Sequence, residues 1–188
     1  MMLTEQDAVV DYVQRVSVRV IAAPELVQVL NDLTERLVET VNDGSPLGFL
    51  PPIDSSIARD YWISMLPELR SGKRVLLVAM SEGTVLGSAQ LVPSHRPTSP
   101  HRAEIEKLFV NPAVRNLGVG TALMNGIESL ALHYGRTLLL LNTRYDQPPH
   151  DWYRSLGYSD AGTVPGWTIG PHGERYDHVT MYKHLVSA

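Results

Sequence analysis

The run Arg115-Asn116-Leu117-Gly118-Val119-Gly120-Thr121 has the residue types and spacing to hold an anion. It follows the segment AEIEKLFV and opens the amphipathic stretch NLGVGTALMNGIESLALHYG. Glycines let a backbone come close to a ligand, and the first turn of a helix leaves N–H groups unpaired at the positive end of its dipole. Such a turn suits a phosphate. Two other phosphate-binding patterns fail here. A dinucleotide fingerprint needs a third glycine-like position and an acidic residue about 20 positions on, where this chain has LLLLNT. A P-loop needs Gly-Lys-Ser/Thr, whereas Gly120 precedes Thr121 and Ala122. A glycine-rich helix start without a ligand is the bland alternative, and the Arg115 side chain is either a charge-assisted contact or a solvated loop residue.

The elements around this turn have clear periods. VSVRVIA alternates as a strand, and Leu26, Leu30, Leu33, Leu37 and Val41 follow Pro24 at helical spacing until Asp43-Gly44. After a Gly/Pro-rich turn, Asp54 or Ser55 caps a second helix expected to turn Ile57, Tyr61, Trp62 and Met65 inward, with Pro67 kinking or ending it. RVLLVAM and VLGSAQLV, joined by SEGT, read as a hairpin. The loop PSHRPTSPH is of a kind that often rims binding sites. AEIEKLFV, the glycine-led helix and TLLLLNT form a strand-helix-strand crossover with parallel strands. HDWYRSLGY is a short helix, and AGTVPGWTI and YDHVTMYKHL are two further strands around PHGE. The sum is one α/β (α+β) domain over residues 16–188, with about seven strands and four helices, preceded by an arm or short helix over residues 1–15.

Composition narrows the function classes. The chain has 188 residues, 44% of them hydrophobic and 19% charged, as expected of one globular domain. A formal net charge of -4 and the lack of a basic run argue against nucleic acid. With no Cys there is no disulfide framework or thiolate nucleophile, and the seven His show no HExxH or other tight ligand spacing, so no metal is expected. No apolar run approaches the roughly 20 residues that span a bilayer, and a cytoplasmic protein with no membrane association is expected.

Arg-x-x-Gly-x-Gly after a strand, at the start of an amphipathic helix, resembles the acyl-CoA pyrophosphate loop of the GNAT superfamily of N-acyltransferases. The resemblance runs from Ser17 to Leu185. GSPLGFLPP, HRAEIEKLFV and VPGWTIGPHG are most similar to the group that includes tabtoxin-resistance acetyltransferases. It implies a GNAT fold: a central mixed sheet of about seven strands, helices on both faces, and central parallel strands that splay apart. Acetyl-CoA would be the acyl donor. Its pantetheine arm would lie in the gap against the backbone of Leu108, Phe109 and Val110, where an N–H would polarise the thioester carbonyl. The N–H groups of Arg115, Asn116, Leu117, Gly118, Val119, Gly120 and Thr121 would take the pyrophosphate. Asn142, on the facing strand, would be a further cofactor-binding residue; it stands where the tabtoxin-resistance group usually has Asp, and an amide cannot act as a base.

Acyl transfer to an amine needs a neutral nucleophile, while a lysine-like amine is protonated below about pH 10.4. Glu104 and Glu106 lie two apart on one strand and share a face unless a bulge intervenes. By resemblance Glu104 is the catalytic base. The alternative for either glutamate is a surface pair with Arg102 or Lys107. Tyr153, in Tyr-x-x-x-Gly-Tyr, matches the family tyrosine that protonates the departing thiolate; its alternative is a buried packing residue. The expected activity is acetyl transfer to a small-molecule amine by direct attack in a ternary complex. A protein amine acetyltransferase and a catalytically silent acyl-CoA-binding module are the rivals, and a homodimer stays open.

Overall fold

A computed structural model describes residues 16–45 and 47–186; the arm or helix expected over residues 1–15 lies outside them. Strand β1 (Ser17–Ile21) leads through a 3-10 turn into helix α1 (Leu26–Asn42). The expected stripe of α1, from Leu26 to Val41, is buried throughout. Asp54 caps α2 (Ser55–Ser64), its carboxylate accepting from the Ser56 N–H at 2.8 Å and the Ile57 N–H at 3.1 Å. The inward stripe of α2 is a correction: Ala58, Trp62 and Met65 are buried, whereas Ile57 is 49% exposed. Those three lie at i, i+4 and i+7, one helical face on which Ile57 has no place. Pro67 lies in the first turn of a new short helix, α3 (Leu66–Ser71), where its missing N–H is harmless.

Strands β2 (Val75–Ser81) and β3 (Thr84–Pro93) form the expected hairpin; β4 (Arg102–Val110), α4 (Val119–His133) and β5 (Leu138–Arg144) form the crossover. Helix α5 (Pro148–Ser155) precedes the antiparallel pair β6 (Ser159–Ile169) and β7 (Arg175–His184). The seven strands make one mixed sheet in the order β1-β2-β3-β4-β5-β7-β6. β2 is buried on both faces. Its Leu77 and Ala79 pack with Leu123 and Ile127 of α4, while Leu76 and Val78 pack with Leu33 and Leu37 of α1 and Trp62 of α2. Each such leucine contributes about 1.5–3 kcal/mol over an exposed one.

Two irregularities shape the centre of the sheet. β4 and β5 are parallel but pair only at Arg102↔Leu138, Ala103↔Leu139 and Glu104↔Leu140, although β4 continues to Val110 and β5 to Arg144. Beyond Glu104 the strands diverge and leave their facing backbone groups outside the ladder. The second is a bulge. Gln90 faces Glu106 and Ser88 faces Phe109, so Lys107 and Leu108 together oppose Ala89, with Lys107 at φ 48.

Candidate functional site

The divergence of β4 and β5 opens a cleft of about 640 Å³. Glu104, Glu106, Lys107 and Leu108 line one wall, Asn142 and Arg144 the other. Tyr153 of α5 reaches in, the segment from Phe49 to Leu50 covers one rim, and Trp167 and His178 cover another. The proline-rich loop over residues 94–101, expected as a rim, contributes nothing to this lining.

The bulge explains the charges on the β4 wall. Ala103 and Ile105 point into the core under α4, and Glu104 and Glu106 point to the opposite face. Regular alternation would return Lys107 to the α4 side. The extra residue instead leaves Lys107 on the face of the two glutamates, over the rings of Phe49 and Tyr61, and Leu108 packs toward α4. Because the bulge follows Glu106, the expected sharing of a face by Glu104 and Glu106 holds.

The two glutamates differ in their partners. Glu106 accepts from Arg74 at 2.7 Å, and Arg74 also donates to Glu68 at 2.6 Å and to buried Gln90. Among the described residues Glu104 has only Arg102, at 3.7 Å, and its side chain is 43% exposed. It is also the last β4 residue paired with β5, so its carboxylate stands where the gap opens.

Tyr153 is 8% exposed and packs between the rings of Trp152 and Tyr158. Burial pushes its phenol well above the ordinary tyrosine value, so it keeps its proton at neutral pH. Helix α5 is anchored beside it. His150, buried, meets the Asp160 carboxylate at 3.0 Å through Nε2 and accepts from the Asp146 N–H at 3.3 Å through Nδ1.

The glycine-rich turn lies past the C-terminal end of β4. Asn116 (φ 61) and Gly118 (φ 87) are left-handed, and Gly118 is the residue before the first turn of α4. The first intrahelical bond shown there is from the Ala122 N–H to the Gly118 carbonyl at 2.9 Å. N–H groups before Ala122 are therefore the ones a helix leaves free. A β-carbon on Gly120 would stand 3.3 Å from the Trp152 ring, which ties this turn to the helix of Tyr153. Leu117 and Val119 anchor it in the core, and Thr121 is half-buried. The Arg115 guanidinium is ion-paired with Asp43 at the end of α1, and both side chains remain partly exposed to solvent.

Of the remaining residues singled out from sequence, Phe109 turns its side chain into the core beside Trp62, leaving only its backbone for the gap, and Val110 is half-buried. Asn142 accepts from the Thr180 hydroxyl at 2.7 Å. The cleft thus unites Glu104, Leu108, Asn142 and Tyr153; residues 115–121 are not part of its lining. Sequence reasoning did not single out Phe49, Arg74, Arg144, Trp167 or His178. The dipeptide Pro165-Gly166 was an available signal: β6 has two extra residues between Val164↔His178 and Thr168↔Tyr176, and Trp167 stacks on His178 there. Among the described residues no His/Cys/Asp/Glu group could hold a metal, and no helix is long and apolar enough to cross a membrane.

The family model for the acetyltransferase (GNAT) family matches residues 35–158. A protein of Azospirillum brasilense named IAA acetyltransferase is 30% identical over 145 residues, which is 77% of this chain and 85% of that protein. Among solved structures, the ribosomal-protein-alanine N-acetyltransferase of Brucella melitensis superposes with a TM-score of 0.73 at 22% identity, over 90% of this chain and 99% of that one. The structure of yncA from Salmonella typhimurium, solved with its cofactor acetyl-CoA, gives 0.71 at 16% identity, over 93% and 96%. At these identities the superpositions speak for the fold.

Proposed function

The chain belongs to the GNAT family of acetyltransferases, and from that premise we propose that it moves an acetyl group from acetyl-CoA to the amine of a small molecule in the cytoplasm. The observation that carries this reading is the end of β4–β5 pairing at Glu104↔Leu140, which opens a cleft with a carboxylate at its apex and a protonated phenol inside it. The donor fits what the strands leave open. Backbone groups of Leu108 to Val110 lie outside the β4–β5 ladder, and a left-handed Gly118 with a close-packed Gly120 shapes the turn beyond.

Bound acetyl-CoA supplies the acyl group as a thioester; the chain's own residues do the rest. The N–H groups over residues 116–121 take the pyrophosphate, that of Arg115 being bonded to the Pro112 carbonyl at 3.4 Å, and the Arg115 side chain joins them if it leaves Asp43. A free N–H among Leu108 to Val110 holds the oxygen on which charge develops. Glu104 takes the proton of the acceptor amine, whose nitrogen forms the new bond to the acyl carbon as the carbon–sulfur bond breaks. Tyr153 donates to the departing sulfur. With its raised pKa the phenol acts chiefly as a hydrogen-bond donor, since a thiol ionises near pH 8.5 and full transfer to it is uphill. Glu106 braces the wall through Arg74 and takes no part in proton transfer.

The test is calorimetric binding of acetyl-CoA together with thiol release in the presence of a panel of amines. Binding and amine-dependent release are expected. Binding without release from any amine would mean a silent module, and absence of binding would remove the reading.

A further inference from the structure

Two cations in the cleft have no carboxylate partner among the described residues. Lys107 stands on one splayed strand and Arg144 on the other. The Lys107 Nζ lies 5.9 Å from the Phe49 ring centre and 5.5 Å from that of Tyr61, so aromatic faces are its compensation. Burial pulls its pKa below the ordinary lysine value. The neighbouring Glu106 offsets part of this, but it makes no ion pair with Lys107, its Oε2 being bonded by Arg74, whose own charge works against the lysine. The Arg144 guanidinium lies 3.7 Å above the Tyr176 ring, an arrangement that leaves the in-plane N–H edge of a guanidinium available for a forked acceptor.

Half-buried cations without anions cost stability, and folded chains seldom keep two in one cleft. A ligand that brings an anion removes that cost. The donor's phosphates do not fit the role: Lys107 faces the α1/α2 side of the sheet, whereas the first turn of α4 packs on the other side. Polycationic acceptors are disfavoured as well, since each further ammonium would meet Lys107 or Arg144. What complements one loosely held carboxylate, Glu104, and two unpaired cations is a zwitterion.

We propose that the acceptor is an amine that also carries a carboxylate, an amino acid or close relative, with its carboxylate on Lys107 and Arg144 and its amino group toward Glu104. This deepens the acetyl-transfer reading and rests on it. The experiment measures kcat/KM for thiol release by the full chain with matched pairs: phenylalanine against phenethylamine, tryptophan against tryptamine, leucine against isoamylamine. At least one amino acid is expected to exceed its decarboxylated partner about tenfold or more, and Lys107→Met and Arg144→Gln should each lower that ratio by about tenfold, the usual size of a charge-assisted contact. A merely structural role would lower both members of a pair alike and leave the ratio, which would overturn the proposal. Equal or better turnover of the decarboxylated amines, or no turnover of any carboxylate-bearing amine, would overturn it too. Calorimetry of acetyl-CoA on the same samples separates the two levels: if binding persists and neutral amines release thiol, only the acceptor class falls; if acetyl-CoA does not bind, the acetyl-transfer reading falls with it.

Discussion

Arg74 donates from Nη1 to Glu106 Oε2 at 2.7 Å, and that bond separates two glutamates that share one face of one strand. Glu106 is committed to a network with Glu68 and Gln90, whereas Glu104 is held, among the described residues, only by Arg102 at 3.7 Å. Glu106→Gln should therefore act on stability. It is expected to lower the unfolding free energy by about 1 kcal/mol, a charge-assisted bond discounted for its partial exposure, and to leave kcat within a few-fold. Urea melts and steady-state rates on the same preparation check this. A large loss of kcat with stability intact would move the base from Glu104 to Glu106.

Gly118→Asp and Gly120→Asp are each expected to abolish acetyl-CoA binding for different physical reasons. At Gly118 a side chain meets open space but the φ of 87 strains it, and the added charge repels phosphate. At Gly120 the side chain meets Trp152 at 3.3 Å. Gly120→Ala should weaken binding with a small loss of stability, through the same contact. Calorimetry on folded variants decides; undiminished affinity in both Asp variants would rule out the turn as the phosphate site.

Tyr153→Phe removes one hydroxyl from a packed ring. The expected result is a fall in kcat of up to about 100-fold with acetyl-CoA affinity nearly kept. Equal losses of folded protein and activity, with kcat per folded molecule unchanged, would make Tyr153 a packing residue.

Burial raises the phenol pKa of Tyr61, to about 12, and those of Tyr153 and Tyr158 as well. Unfolded tyrosine ionises near pH 10. Above that pH the unfolded chain has released protons that the folded chain still holds, so stability is intact below about pH 10 and declines as pH rises toward 12. Each tyrosine contributes about 1.4 kcal/mol per pH unit in its window. Melting temperature should fall as pH rises above about 10, less steeply in Tyr158→Phe. A variant with the parent's slope would show that this phenol is not shifted.

Much of this arrangement was legible because it depends on local pattern. The stripe of α1, the β2–β3 hairpin and the glycine-led α4 each satisfy a period or a cap within their own residues. Ile57 misled because size was weighed over phase: the small Ala58 occupies the centre of the buried face. The face of Lys107 was illegible, since alternation places it with Ile105, and only the pairing of β4 with β3 shows the extra residue. Arg74 and Glu106 are 32 positions apart, and nothing local joins them. Trp167 reaches the cleft through two residues that β7 does not match, again a fact of pairing. Residues 115–121 were singled out from spacing, yet the partner of Arg115, Asp43, lies just past the end of α1.

The central claim is that Glu104, at the apex of the gap, deprotonates the acceptor amine, and the pH dependence of kcat for Glu104→Gln tests it most directly. The amide keeps the shape of the side chain but accepts no proton, so kcat should fall roughly 100- to 10,000-fold at neutral pH while acetyl-CoA binds as before. The deficit should shrink as pH approaches the amine's own pKa, about 10.4 for a lysine-like acceptor, because solvent then supplies the neutral nucleophile. A Glu104→Gln enzyme that stays within a few-fold of the parent across that range, with acetyl-CoA bound and a good acceptor present, would contradict the account.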